Sequence, residues 1–187
     1  MSSSELRAVA SDGAPAAMIR RIVAWAAATL AAGIVAVRYP GIPELLVAVA
    51  FLAVLAVLSV IDLEQRRVPN RIVLPAAAVA LAAIAVLEPG NLVEAAAAGV
   101  VAFLFFLIPA LVMPRAVGMG DAKLALLIGF VLGWDILPAF FVMSIAGGVA
   151  GLVMILSGRR GSYLPFVPFL AVGAAYGLVA AGGALYS

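Results

Sequence analysis

The sequence predicts an all-α protein, a polytopic transmembrane helix bundle of six to seven helices. Three observations carry this expectation. Of 187 residues, 67% are hydrophobic and only 11% charged, where soluble domains average about 45–50% apolar. The mean hydropathy is +1.27. Apolar runs follow one another along the chain between Pro, Gly or charged residues, and a bilayer span needs about 20 such residues. This length leaves no room for a sizeable soluble domain, so residues 19–187 are expected to form a single membrane domain.

In chain order, residues 1–18 are small and polar, with Ser2-Ser3-Ser4, Glu5, Arg7, Asp12 and Pro15, and read as a flexible cytoplasmic tail. Arg20-Arg21 opens an apolar run to Val37. A basic pair before an apolar stretch has the form of a signal peptide, but no small-residue cleavage site precedes Arg38-Tyr39-Pro40. A retained first helix is expected. Further apolar runs cover Leu45–Ile61, Ile72–Leu87, Glu94–Met113, Ala122–Trp134, Ile136–Leu156 and Tyr163–Leu185. The run after Asp121 is short, so its helix should begin within Ala116–Gly120 or lie buried among its neighbours. Alanine clusters and Gly147, Gly148 and Gly151 are small residues that let helices approach closely in lipid.

The basic residues fix the expected orientation. With the N-terminus in the cytoplasm, ten of the eleven Lys and Arg lie inside and only Arg38 outside, as the positive-inside rule requires. They are scattered over loops, so the net charge of +2 reports topology and not nucleic-acid binding. Cysteine and histidine are both absent. That removes disulfides, thiol and histidine-assisted nucleophiles and the usual zinc ligands, leaving carboxylates for acid–base work.

Two carboxylates stand out. Asp62, in Ile61-Asp62-Leu63, closes one apolar run, and Asp121, in Gly118-Met119-Gly120-Asp121-Ala122-Lys123-Leu124, opens another. An ionisable group beside or within a membrane span is a functional suspect by default. The proposed topology puts both at the cytoplasmic edge. The bland reading of Asp62 is an interfacial residue at a helix C-terminus, a poor place for an anion; that of Asp121 is an N-terminal cap, which is compatible with catalysis. Gly118 and Gly120 read as loop punctuation or as room for backbone approach to a substrate strand. Lys123 either snorkels to the interface or keeps one carboxylate ionised. Pro69 should start a helix with Asn70 in its first turn. Pro75 should kink that helix, and Pro165 and Pro168 should break the last one. Glu64, Arg66 and Arg67 read as a solvated loop.

The segments Asp62-Leu63-Glu64-Gln65-Arg66-Arg67-Val68-Pro69-Asn70 and Gly118 to Leu124 resemble the two signature motifs of prepilin peptidases, also called type IV leader peptidases. A third stretch, Leu164-Pro165-Phe166-Val167-Pro168-Phe169-Leu170-Ala171-Val172-Gly173, resembles that family's Pro-Phe-Gly-Pro-Phe-Leu-Ala-Leu-Gly segment, with Val167 where Gly is common. The resemblance implies a single membrane peptidase domain of the GxGD aspartic type, with Asp62 and Asp121 catalytic and Gly118, Gly120, Lys123, Pro69 and Asn70 supporting. It implies a prepilin or pseudopilin precursor as the protein substrate, cleaved at the cytoplasmic face of the inner membrane, with the lipid bilayer as the other partner. No metal or organic cofactor is required. The family's larger members carry Cys-x-x-Cys motifs in a methyltransferase region, so a cysteine-free chain implies cleavage without methylation. Substrate-binding residues, the acid and base assignments within the dyad and the oligomeric state are not read from the sequence. The rival classes are a small proton- or ion-coupled transporter, which predicts acids near the bilayer midplane, and a non-catalytic assembly factor of a pilus or secretion system.

Overall fold

The computed structural model of the chain describes residues 41–112, 118–157 and 165–180. The N-terminal tail, the first apolar run and Arg115, Arg159 and Arg160 lie outside the described residues. Among the described residues there are six α-helices and no strands: α1 (Ile42–Gln65), α2 (Asn70–Leu87), α3 (Leu92–Val112), α4 (Met119–Leu132), α5 (Ile136–Leu156) and α6 (Val167–Ala180). Short 3-10 turns at Pro89–Asn91 and Gly133–Asp135 join α2 to α3 and α4 to α5. This is a helical membrane bundle, with α1, α2 and α3 each long and apolar enough to cross a bilayer and the α4–α5 stretch supplying a fourth candidate span.

The apolar run that ends at Ile61 continues as helix for one more turn, so Asp62 lies inside α1 and not at its end. The helix stops at Arg66, which adopts left-handed geometry (φ 54°) and turns its N–H back to the Asp62 carbonyl at 2.9 Å, an αL cap usually built with glycine. Three residues later Pro69, with no N–H to offer and φ −72°, stands at the N-cap of α2. The Ile72 and Val73 amides close onto its carbonyl at 3.0 and 3.2 Å. α1 and α2 thus form a hairpin that carries Arg66 and Arg67 in its turn and Arg71 in the first turn of α2, all on one end of the bundle.

α4 is the centre of the fold. Fourteen residues give about 21 Å of helix, short of the ~30 Å hydrocarbon core, and ten of those residues are buried. It is apolar all round, as a helix enclosed by others must be, and packs against α2, α3 and α6. At its crossing with α3 the backbones touch: a Cβ added to Gly129 would strike the main chain of Ala98 and Gly99. Close contact through small residues supplies packing energy where lipid removes the hydrophobic drive. α4 ends at Gly133, whose φ of 54° turns the chain toward α5.

α5 packs mainly on α6, and α6 in turn on α1, closing the bundle around α4. The core runs through Phe51, Leu55, Leu58, Val73, Leu124, Leu127, Ile128, Leu170 and Leu178. Outward-facing Val101, Phe105, Ile108, Phe141, Val149 and Leu152 are exposed, as lipid-facing positions of a membrane bundle are. Pro165 precedes α6 and Pro168 is its second residue. Instead of breaking a helix, they mark where it starts.

Candidate active site

Chain direction alternates along the helices, so the end of α1, the start of α2 and the start of α4 meet at one end of the bundle. There the turn after α1 and the first turn of α4 enclose a pocket of about 320 Å³ lined by Asp62, Arg66, Arg67, Val68, Asn70, Gly118, Met119, Gly120, Asp121 and Lys123. Asp62 and Asp121 are 59 positions apart in sequence and line it together. Both are buried, 3% and 5% exposed. Of the other residues singled out from the sequence, Gly118, Gly120, Lys123 and Asn70 are in the lining, while Pro69 shapes the turn without lining the pocket.

Each aspartate is held by the N-terminus of a helix. Asp121 sits in the first turn of its own helix: its Oδ2 accepts the Gly118 N–H at 3.1 Å and its amide donates to the Gly118 carbonyl at 3.0 Å. Gly118, not Asp121, is the N-cap, and Asp121 at the third helical position reaches back to the N-cap amide, as the acid of a capping box does. Asp62 serves the start of a different helix. Its Oδ2 accepts the N–H of Val167, the first residue of α6, at 3.1 Å, with the Phe166 amide beside it. First-turn amides lack intrahelical partners, so Val167, the first residue of α6, presents a donor that a carboxylate satisfies. Asp62 therefore lies in the last turn of α1, where a helix dipole disfavours an anion, and meets the favourable end of α6 in compensation.

Phe166 and Val167 are the part of the site that sequence reasoning did not assign. Phe166 packs against Phe106 of α3 (centroids 5.8 Å), which in turn meets Phe140 of α5 at 5.3 Å. The aromatic stack fixes the segment that delivers the Val167 amide to Asp62. Pro165-Phe166-Val167-Pro168 was the available signal, because prolines mark a helix start, and the Phe166 and Val167 amides between them lie where first-turn donors lack intrahelical partners.

The rest of the lining sets shape and charge. Gly120 lies against the α1–α2 turn so closely that an added Cβ would come to 2.7 Å from the Val68 Cβ. Any side chain there would push α4 away from the turn. Lys123 donates from Nζ to Asn70 Oδ1 at 2.9 Å, tying α4 to the first residue of α2. Arg66 and Arg67, read from sequence as a solvated loop, stand in the pocket wall. The described cations Arg66, Arg67, Arg71 and Lys123 all belong to the pocket end, together with Asp62, Glu64 and Asp121, whereas Glu44, Glu88, Glu94 and Asp135 mark the other ends of their helices.

The fold and this pocket define a class: a polytopic helical membrane protein that gathers two buried aspartates and a cationic wall at one end of its bundle. The chain belongs to the type IV leader peptidase family, whose model matches residues 49–156. It is 38% identical over 137 residues to the prepilin leader peptidase/N-methyltransferase of Bacillus subtilis (strain 168), covering 70% of this chain and 54% of that protein. It is 30% identical over 166 residues to the like-named protein of Pseudomonas putida, covering 83% and 53%, and 32% identical over 162 residues to that of Burkholderia pseudomallei (strain K96243), covering 82% and 52%. The chain spans about half the length of the curated relatives it matches. No solved structure matches it.

Proposed function

We propose that this protein is an aspartic endopeptidase of the GxGD type that removes the leader from prepilin or pseudopilin precursors. The observation that carries the proposal is the convergence of Asp62 and Asp121 on one polar pocket in an otherwise apolar bundle. Family membership supplies the substrate class: its relatives are named prepilin leader peptidases.

In this reading the two carboxylates hold one proton between them, since like charges in one site cannot both ionise easily. The ionised member takes a proton from a water, which attacks the scissile carbonyl. The protonated member donates to the carbonyl oxygen and the proton passes on to the leaving nitrogen. The protons belong to the pair, so neither aspartate is assigned as acid or base. The backbone amides of Gly118 and Val167 orient the two groups without supplying a titrating partner. Both acids lie at the end of the bundle, which favours a protease acting near the membrane surface over a transporter with acids at the midplane.

The test is to substitute Asp62→Asn, Asp121→Asn and both together, and to measure precursor processing and protein level in membranes. Each single variant should accumulate and lose cleavage, and the double variant should lose little more, because members of one catalytic unit are not additive. Substantial processing by either single variant overturns the dyad.

The relatives' names include methyltransferase activity. For this polypeptide we propose proteolysis alone, on the ground that its sequence contains no cysteine for Cys-x-x-Cys motifs. Purified protein with precursor and a methyl donor should give a shortened product whose new N-terminus has unmodified mass; a methylated product refutes that part.

A further inference from the structure

The α1 face that carries Asp62 also buries a hydroxyl, that of Ser59. Ser59 is 6% exposed and its Oγ has no hydrogen-bond partner among the described residues. A serine in an apolar helix ordinarily returns its hydroxyl to the carbonyl four residues back, as Ser144 does to Phe140 at 2.8 Å. Ser59 does not. A buried hydroxyl left unpaired costs stability, and a partner acquired in use would offset that cost.

Position identifies the partner. Leu55, Ser59 and Asp62 follow one another on the buried stripe of α1, at the four- and three-residue spacings that stack side chains on one face. Residues three apart on a helix have Cβ atoms about 5–6 Å apart. Side chains tilt toward the helix N-terminus, so the Asp62 carboxyl leans back over the turn that carries Ser59. The amides that meet this carboxyl, Val167 on Oδ2 and Phe166 beside it, both come from the start of α6, and an ionised carboxylate accepts further donors, which leaves its α1 side open to the Ser59 hydroxyl.

Resting on the proteolytic reading, we infer that Ser59 is a positioning residue for Asp62: its hydroxyl donates to the Asp62 carboxyl when substrate fills the pocket, fixing the orientation of the group. Ser59 touches no substrate. Its contribution is to the chemical step and not to precursor binding.

The experiment compares Ser59→Ala, Ser59→Thr and, as a hydroxyl-removal control away from the pocket, Ser144→Ala, with kcat and KM measured separately on a prepilin precursor in detergent. A purely structural hydroxyl predicts that Ser59→Ala is neutral or stabilising with wild-type kinetics. The inference predicts normal accumulation, kcat lowered roughly 10- to 100-fold as for loss of a hydrogen bond to a charged group, and KM within about twofold. Ser59→Thr, which keeps the hydroxyl, should restore most of the rate, and Ser144→Ala should match wild type. Wild-type kcat in Ser59→Ala overturns the inference, as does failure of Ser59→Thr to restore the rate, or failure of Ser59→Ala to accumulate, since each makes the residue structural. If the unsubstituted protein does not cleave the precursor, the proteolytic reading itself falls, an outcome separate from these.

Discussion

The Asp62 carboxylate accepts a hydrogen bond from the Val167 amide at 3.1 Å, joining residues 105 positions apart. One side chain therefore serves both as a pocket carboxylate and as the cap of α6, and the two roles separate on substitution. Asp62→Asn keeps an oxygen that accepts the Val167 N–H and should leave stability nearly unchanged. Asp62→Ala removes that acceptor and should cost about 1 kcal/mol, the typical loss on deleting a helix cap. Thermal unfolding in detergent measures the difference, while both variants should lack cleavage. Equal melting of the two would mean that the capping contact contributes nothing.

At the Gly120–Val68 contact the prediction is steric. A Cβ on Gly120 would meet both the Cβ and Cγ2 of Val68, at 2.7 and 2.9 Å, and overpacking of this kind typically costs about 1–3 kcal/mol. Gly120→Ala should lower stability and cleavage together by shifting Asp121 relative to Asp62. Val68→Gly removes both offending atoms and should recover part of the loss in the double variant. Wild-type cleavage by Gly120→Ala alone would show that the turn yields without moving the dyad.

The placement of the described helices was legible in the sequence because bilayer length and apolar runs constrain one another. Five of the runs coincide with α1, α2, α3, α4 and α5 with small shifts at their ends, and the short run after Asp121 became the buried helix its length required. Asp62 and Asp121 were visible as charges in apolar surroundings. The meeting of the two was not, since contact across 59 residues depends on how α1, α2 and α4 pack. Nor was the role of Val167: its contribution is a main-chain amide, and no side-chain pattern announces which backbone donor will be left unpaired and where it will point. Helix ends also shifted, with α1 running past Asp62 to Gln65 because Arg66 supplies the left-handed cap.

Lys123 was open between a snorkelling role and a charge beside the carboxylates. Its Nζ–Asn70 Oδ1 bond adds a third function, tying α4 to α2 across the pocket mouth. The pair is exposed, so its coupling should be about 0.2–1 kcal/mol. A double-mutant cycle with Lys123→Met and Asn70→Ala, read by thermal unfolding, should return a value in that range. If Lys123→Met lowers cleavage much more than Asn70→Ala while stability changes equally, the charge acts on the dyad directly and the tether is secondary.

Charge predicts a cytoplasmic face for the pocket, and the absence of cysteine in the sequence makes the test clean. The described cations Arg66, Arg67, Arg71 and Lys123 all belong to the pocket end, and basic residues are retained on the cytoplasmic side. Gly90 lies in the 3-10 turn at the other end of α2, where an added side chain has open space around it, while Gln65 ends α1 beside the pocket turn and is exposed. Gly90→Cys and Gln65→Cys each place a single thiol on a chain that otherwise has none. In intact cells stripped of any outer barrier, a membrane-impermeant thiol reagent should label Gly90→Cys and leave Gln65→Cys unlabelled until the membrane is opened. The reverse pattern would put the pocket on the outer face, where a precursor still bearing its leader on the cytoplasmic side could not reach Asp62 and Asp121, and the proposed cleavage would fail on geometry alone.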